Sequence, residues 1–217
     1  MSKKIRSIFI CGCGHTGTTI LARIIGYHSK IHFINYETGI FLLNRYFIKD
    51  KLIKKFSNQA LKKNKIYVLE KTPRHIWHVD YINKTIKNSK FIFTTRDPEA
   101  TIYSLAKRYK NVDMAIQRYQ DDSIQTLRNL KLKNSILIKY EDLILQTEKT
   151  LKKICKFLNL SPEKNMINFF KHPVEWNLNN PYSVKKDIHN DKRNIQANSP
   201  LSKEINKIKI PLKIKNK

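Results

Sequence analysis

The chain has 217 residues, which is enough for one domain with a hydrophobic core. Hydrophobic residues are 41% of it and aromatic residues 10%, and this composition excludes an intrinsically disordered chain. The formal net charge of +26 predicts an anionic partner, although a biased composition could supply much of that charge.

The cysteines and the apolar segments narrow the class of protein further. Cys11, Cys13 and Cys155 are an odd number and give no disulfide framework. Cys11 and Cys13 have the wrong spacing for a zinc knuckle, so we expect structural roles and no metal site. No apolar stretch approaches the roughly 20 residues of a membrane-spanning helix, and the N-terminus lacks the apolar region of a signal peptide. We therefore expect a soluble, cytoplasmic protein.

Short β-branched or aromatic runs alternate with longer helical patterns along the chain. Strands are predicted at Ile5–Cys11, Ile31–Tyr36, Ile66–Leu69, Phe91–Thr95 and Ser135–Lys139. Helices are predicted at Thr18–His28, Phe41–Lys63, Asp97–Tyr109 and Thr147–Asn159, with a further one starting at Ser161-Pro162. This alternation indicates a three-layer α/β/α domain whose sheet is mainly parallel, with about five strands and the first strand central.

No repeat, linker or domain boundary interrupts this pattern. Residues 1–217 are therefore predicted to form a single domain. Beyond His172 the chain becomes rich in Asn, Pro and Lys and loses its periodicity. Residues 172–217 are expected to be an irregular, basic C-terminal segment.

A glycine-containing loop, Gly12–Thr19, follows the first strand and opens the first helix. Such a loop turns backbone N–H groups and a helix N-terminus toward an anion, so it predicts a phosphate site. A nucleotide kinase loop would carry Lys where this chain has Thr18, which argues against that class.

The same loop also fits a dinucleotide fingerprint. Its glycines have the required spacing, and Glu37 follows about 20 residues later, where a ribose ligand would sit. An NAD(P)-dependent oxidoreductase is thus an alternative, although the chain offers no evident room for a separate substrate domain. A basic nucleic-acid-binding protein would explain the charge, but the sequence contains no nucleic-acid-binding module, and we expect no specific nucleic acid partner.

The loop resembles the 5′-phosphosulfate-binding loop of the sulfotransferases, whose core is a basic residue, Ser or Thr, Gly, Thr and Thr. Three further segments follow in the family's order: Glu70-Lys71-Thr72-Pro73, the stretch from Thr95 to Ser104, and Tyr140-Glu141-Asp142-Leu143 with its following helix. The resemblance spans Ile5 to Leu160. Its motif pattern is most similar to tyrosylprotein and glycan sulfotransferases. The tyrosylprotein enzymes resemble it particularly, because they too have an arginine four residues after this serine, here Arg108 after Ser104.

This resemblance implies a P-loop NTPase-like sulfotransferase fold and an enzyme that needs no metal. The enzyme would transfer a sulfuryl group from 3′-phosphoadenosine 5′-phosphosulfate (PAPS) to an acceptor hydroxyl, leaving adenosine 3′,5′-bisphosphate (PAP). A glycan or a peptide tyrosine is the expected acceptor, and the basic surface favours an acidic one. Lipids and small hydroxylated metabolites remain open.

The resemblance also implies which residues bind the cofactor. Those of the loop are Gly14, His15, Thr16, Gly17, Thr18 and Thr19. Those toward the 3′-phosphate are Arg96, Ser104, Arg108 and Arg193. An ion pair of Arg96 with Asp97 or Glu99 is the alternative role for that arginine. Arg193 belongs to a basic run with Lys185, Lys186 and Lys192, which could equally be a solvated charge run.

For catalysis, Glu37 lies where the tyrosylprotein and glycan enzymes place their catalytic Glu, and it is the predicted base. Glu70 and His32 are the alternatives, with Glu70 expected to orient Lys71. His15 stands where the family usually has Lys or Arg, so Lys71 could supply the missing positive charge. How His15 and Lys71 share stabilisation of the leaving phosphate stays open. Glu141 and Asp142 are expected to serve packing or helix initiation.

Overall fold

The computed structural model describes residues 4–42 and 47–168, and every structural statement below concerns that part of the chain. Five strands form one sheet: β1 (Arg6–Gly12), β2 (Ile31–Phe33), β3 (Tyr67–Lys71), β4 (Ser89–Thr95) and β5 (Ser135–Lys139). They are ordered β2-β3-β1-β4-β5, and each adjacent pair is parallel. The predicted parallel sheet with a central first strand is confirmed.

Helices connect the strands. They are α1 (Thr18–Gly26), α2 (Lys49–Lys62), α3 (Val79–Thr85), α4 (Pro98–Tyr109), α5 (Val112–Asn129), α6 (Tyr140–Leu145), α7 (Thr147–Leu158) and α8 (Lys164–Ile167), with a 3-10 helix at Pro73–His78. Among the described residues, none of these helices is long and apolar enough to cross a membrane.

The sheet lies between two helical layers, because alternate side chains of each strand point to opposite faces. Ile8 and Ile10 of β1 pack with residues of α1 and α7. Phe9 and Cys11 pack on the other face, with residues of the 3-10 helix and α3. The chain thus buries both faces of β1, which accounts for its continuous apolar run. The three cysteines are buried free thiols, which fits the structural role expected of them.

Several boundaries differ from the predicted ones. The second strand ends at Phe33 rather than Tyr36, and the predicted Phe41–Lys63 helix is helical from Lys49. The last predicted helix begins at Lys164 and has only one turn. In contrast, the start of α4 is as predicted: the Asp97 side chain accepts a hydrogen bond from the Ala100 N–H at 2.9 Å.

The 18-residue helix α5 was absent from the sequence prediction. Asn111 caps its N-terminus by accepting from the Met114 N–H at 2.9 Å. The buried face of its second half is largely polar: Asp122, Ser123, Thr126 and Asn129. The apolar residues of that half, Ile124 and Leu127, are not among the buried ones, and Ile124 is 44% exposed, so the hydrophobic pattern does not mark the buried face.

The parallel arrangement places the carboxyl ends of β1, β3 and β4 along one edge of the sheet. This carboxyl edge leads into the glycine loop, into Thr72 and into Arg96, respectively. Gly12 at the end of β1 has φ 147°, and a Cβ there would lie 2.8 Å from the Thr94 carbonyl oxygen. A glycine is needed at this position because β1 and β4 approach so closely. Open α/β sheets bind ligands at this edge.

Candidate active site

The glycine loop is held in shape by hydrogen bonds inside the protein. The Thr16 hydroxyl donates to the Cys13 carbonyl oxygen at 2.6 Å and lies 2.6 Å from the Thr94 hydroxyl. Since a hydroxyl has one hydrogen, Thr94 is the donor in the second contact. The Thr16 side chain therefore supports the loop, and any contact of Thr16 with a ligand would come from its backbone N–H.

Gly17 forms the junction between the loop and α1. It is the N-cap residue with φ 87°, a left-handed conformation that favours glycine. A Cβ at Gly17 would lie 2.4 Å from Cδ2 of Tyr140, so the tyrosine ring packs directly against the loop. Thr18 is buried in the first turn of α1, and Thr19 is partly exposed. The N–H groups of this first turn are the ones that the sequence predicts to bind an anion.

His15 joins the loop to the middle of α4 and to Arg96 at the end of β4. Its Nδ1 lies 2.7 Å from the Ser104 hydroxyl, and its carbonyl oxygen accepts a 3.4 Å hydrogen bond from Nη1 of Arg96. His15 itself has φ 69°. The structure thus brings His15 together with Arg96 and Ser104, which are 81 and 89 residues away, and all three were predicted to bind the cofactor.

Arg96 is only 4% exposed at the end of β4, and its guanidinium lies over the Tyr140 ring at 4.6 Å from the ring centroid. Tyr140 therefore fixes both the loop, through Gly17, and the arginine. The alternative role for Arg96 was an ion pair with Asp97 or Glu99; the Asp97 carboxylate also caps α4. The Asp97 N–H donates to Oε1 of Glu141 at 2.9 Å, which fits the predicted role of Glu141 in helix initiation.

The remaining residues predicted near the 3′-phosphate differ in their surroundings. Arg108 is exposed on α4, one helical turn after Ser104, so both side chains emerge from the same face. Arg193 lies outside the described residues, as do Lys185, Lys186 and Lys192. Their predicted contact with the cofactor stays a prediction.

Lys71 and Glu37 form an ion pair at the carboxyl edge. Nζ of Lys71 donates to Oε1 of Glu37 at 2.5 Å; the lysine side chain is fully buried and the glutamate side chain is 47% exposed. Burial lowers the pKa of Lys71, while the charge and the hydrogen bond of Glu37 oppose this effect. In this pair the Glu37 carboxylate is accessible to solvent, whereas the Lys71 ammonium is buried.

Glu70 lies in a buried hydrogen-bond network. It accepts hydrogen bonds from the Thr38 hydroxyl at 2.8 Å and the Thr72 hydroxyl at 2.5 Å, and it contacts Nδ1 of His75 at 3.0 Å. Its charge also raises the pKa of Lys71, and its expected role in orienting that lysine stays a prediction. Adjacent residues of a strand point to opposite faces, which separates the Glu70 and Lys71 side chains. Glu70 therefore fixes Thr38, the residue next to Glu37.

The pKa of Glu70 reflects this environment. Burial raises it, but His75 and the hydrogen bonds from His75, Thr72 and Thr38 outweigh burial and lower the pKa overall. A buried carboxylate that already accepts several hydrogen bonds is poorly suited to take a proton from a substrate. This environment disfavours Glu70 as the base.

His32 lies away from the carboxyl edge. It pairs in register with Val68, three residues before Lys71, which corresponds to roughly 10 Å along a strand. Its Nε2 lies 3.3 Å from Oε1 of Gln59, and burial lowers its pKa. His32 is therefore poorly placed to act together with the loop.

The sequence interpretation missed Tyr140 and Thr38 as supports of the site. Tyr140 was read only as part of a motif, and its packing on Gly17 and Arg96 depends on tertiary contacts. Thr38 directly follows the predicted base, which is the one sequence signal that could have drawn attention to it. Within residues 4–42 and 47–168, no group of three or more His, Cys, Asp or Glu side chains could hold a metal ion.

Comparison with known proteins agrees with this geometry. A sulfotransferase family model matches residues 37–164, more than half of the chain. No curated protein sequence matches the chain. The family match begins at Glu37, so the loop at residues 12–19 is an independent observation.

The fold is similar to that of several solved structures. The sulfotransferase domain from the curacin biosynthetic pathway has a TM-score of 0.59 and 18% identity, over 80% of each chain. That of the Synechococcus PCC 7002 olefin synthase has a TM-score of 0.55 and 17% identity, over 96% of this chain and 97% of that one. Mouse sulfotransferase SULT7A1, solved with PAP, has a TM-score of 0.52 and 17% identity, over 78% and 63% of the two chains. The predicted fold and enzyme class are confirmed, and the chain belongs to the sulfotransferase family.

Proposed function

We propose that this protein transfers a sulfuryl group from PAPS to an acceptor hydroxyl and releases PAP, with residues 1–217 acting as a single domain. The observation that carries the proposal is the convergence of the glycine loop, Arg96 and Ser104 on His15. This gives two anion-binding elements side by side, as a nucleotide with phosphates at both its 5′ and 3′ positions requires. The PAP bound to mouse SULT7A1 supports the choice of nucleotide.

The 5′-phosphosulfate would lie on the loop between Gly14 and Thr19. Backbone N–H groups at the start of α1 would donate to its oxygens, and the helix dipole favours negative charge there. Thr19 is partly exposed and offers its hydroxyl in the same turn, whereas Thr18 is 4% exposed and would contribute through its backbone N–H. Because this loop has no Lys or Arg, its contribution comes from hydrogen bonds, together with the imidazole of His15.

The 3′-phosphate would lie against Arg96 and Ser104. If Nδ1–H of His15 donates to the Ser104 oxygen, the serine hydroxyl keeps its own hydrogen for the phosphate. The guanidinium of Arg96, stacked on Tyr140, can grip a phosphate with two parallel N–H groups. Arg108 would add charge one turn further along α4.

The transfer step requires a base and stabilisation of the leaving phosphate. Glu37 would accept the proton of the acceptor hydroxyl as that oxygen bonds to sulfur and the bond from sulfur to the 5′-phosphate oxygen breaks. Its exposure makes it accessible to an acceptor. Lys71 would then carry the positive charge near the leaving phosphate, because neutralised Glu37 no longer balances the ammonium 2.5 Å away. His15 would assist by hydrogen bonding.

The acceptor is proposed to be a glycan or a peptide tyrosine, with an acidic character that suits the net charge of +26. The test is transfer of labelled sulfate from PAPS to four acceptor classes: glycan, tyrosine peptide, lipid and small hydroxylated metabolite. We expect transfer to at least one of the first two. Binding of NAD(P)H without any response to PAP would instead support the oxidoreductase alternative.

A further inference from the structure

Trp77 presents a fixed, half-exposed ring next to the candidate active site. It lies in the 3-10 helix Pro73–His78, which leaves the carboxyl edge directly after Lys71 and Thr72. The side chain is 46% exposed, yet its Nε1–H donates to Oδ1 of Asp122 at 2.7 Å. The polar atom of the indole is therefore satisfied inside the protein while part of the ring faces solvent. An exposed tryptophan held in this way is suited to contact a ligand.

Asp122 connects Trp77 to the glycine loop. This fully buried carboxylate of α5 forms an ion pair with Nε of Arg118. Cys13 of the loop packs against α5 in one hydrophobic cluster with Ala115 and Tyr119, and burial and the Asp122 charge raise the pKa of its thiol. One carboxylate thus holds the indole and a guanidinium, on a helix that packs against the loop. The position of the Trp77 ring is consequently fixed relative to the proposed donor site.

Positively charged side chains lie near the Trp77 ring. Side chains three residues apart in a 3-10 helix lie on the same face, which places Arg74 beside Trp77. Burial raises the pKa of Asp122, while the charges of Arg118 and, more weakly, Arg74 oppose that rise. Arg74 is exposed, three residues before Trp77. A ligand lying on the indole would therefore meet a guanidinium at the surface. Guanidinium groups bind carboxylates with two parallel hydrogen bonds.

We propose that Trp77 is an acceptor-binding platform on which a sugar ring of an acidic glycan stacks, with Arg74 binding the carboxylate of that glycan. The inference rests on the proposed sulfuryl transfer and names the acceptor class for it. The flat apolar face of an indole complements the C–H face of a pyranose ring, and Arg74 complements a uronate.

The position of the ring favours a glycan over a peptide tyrosine. Trp77 lies four residues into the 3-10 helix, roughly 8 Å beyond its start at about 2 Å per residue. A peptide tyrosine carries its hydroxyl at the tip of one side chain, so only that side chain would enter the space at Glu37 and Lys71, and it would not need Trp77. An oligosaccharide extends beyond the reacting sugar, so a neighbouring ring would reach a platform at this distance.

Direct binding tests this platform without requiring turnover. A uronate-containing oligosaccharide, a neutral oligosaccharide with otherwise the same backbone and an acidic tyrosine peptide are titrated calorimetrically into the full chain with PAP bound. We expect Trp77→Ala to weaken binding of the uronate oligosaccharide at least tenfold and Trp77→Phe to restore part of it. Arg74→Ala should reduce its affinity to that of the neutral oligosaccharide. PAP affinity should stay within twofold in all three variants.

Leu61→Ala is the matched control, because Leu61 is 44% exposed and lies in the last turn of α2, which leads to the opposite edge of the sheet at the start of β3. It should leave every affinity unchanged. Equal oligosaccharide binding by wild type and by Trp77→Ala, or no oligosaccharide binding at all, would overturn the platform while PAP binding still supported the proposed function. If only the peptide binds and depends on Trp77, the glycan assignment is wrong. Failure of the wild-type protein to bind PAP would instead refute the proposed function.

If Trp77→Ala loses PAP binding and is therefore judged not to fold, the platform is tested with Trp77→Phe and Arg74→Ala instead. Wild-type affinity for the uronate oligosaccharide in Arg74→Ala would then overturn the proposal, since Arg74 is exposed and its removal leaves no cavity.

Discussion

Nζ of Lys71, at the end of β3, lies 2.5 Å from Oε1 of Glu37, in the segment after β2. The lysine is buried and the glutamate is half exposed, so the carboxylate is the member of the pair that an acceptor can reach. This contact links the proposed base to the residue proposed to stabilise the leaving phosphate.

Glu37→Gln tests the base. The substitution keeps the size of the side chain and a hydrogen-bond acceptor for Lys71, but it removes the capacity to take a proton. General-base contributions are about 10²–10⁴-fold, so kcat should fall by that factor while the Kd for PAP changes little. Steady-state kinetics with one acceptor, together with PAP titration, measure both quantities. A tenfold or smaller loss of kcat would contradict the role.

Glu70→Gln tests the structural role of the neighbouring carboxylate. The lowered pKa of Glu70 means that its ionised form stabilises the fold above its ordinary value of 4.5. That stabilisation is lost as the pH falls through the folded-state pKa. The variant should unfold more easily at pH 7, and its free energy of unfolding should depend less steeply on pH below 4.5. Urea unfolding at several pH values measures this.

An unchanged pH slope in Glu70→Gln would show that the carboxylate does not contribute as described. Activity provides the second check. The fraction of Glu70→Gln that remains folded should retain more kcat than Glu37→Gln. A fully inactive but folded Glu70→Gln, beside a normal Glu37→Gln, would mean that the base has been assigned to the wrong carboxylate.

Gly17→Ala tests the packing of the loop. The added methyl would lie 2.4 Å from Tyr140, at a residue with φ 87°. The left-handed conformation alone costs about 1–3 kcal/mol for a residue with a side chain. We expect a loss of stability of at least that size and much weaker PAP binding. Gly14→Ala is the matched control for stability, because its Cβ would meet only Leu105 at 3.9 Å. Thermal unfolding that does not distinguish the two variants would contradict this account.

The sheet could be predicted from the sequence because strands buried on both faces are continuous apolar runs separated by helical patterns. The phosphate loop was equally visible, since its glycines and threonines lie next to one another. In contrast, α5 escaped prediction because its buried Asp122 and Asn129 bond to Trp77 and to the Ile76 carbonyl oxygen instead of forming an apolar stripe.

The contacts within the site could not be predicted from the sequence. The contact between Ser104 and His15 spans 89 residues, and no local pattern reveals it. Likewise, sequence adjacency suggested that Glu70 would orient Lys71. The alternation of side chains along β3 directs Glu70 to Thr38, Thr72 and His75, and Glu37 is the carboxylate that bonds to Lys71. Tertiary contacts, rather than local spacing, decide which carboxylate meets the lysine.

The most direct test of the central claim is the shift in melting temperature produced by PAP and by adenosine 5′-phosphate, which lacks the 3′-phosphate. At a hundredfold excess over its Kd, PAP should stabilise the wild-type protein by about 2.7 kcal/mol, and adenosine 5′-phosphate at the same concentration should stabilise it much less. Arg96→Lys keeps the charge but loses the planar guanidinium, and it should remove most of this difference. Equal shifts with the two nucleotides in the wild-type protein would contradict the assignment of Arg96 and Ser104 to the 3′-phosphate, and with it the proposed use of PAPS.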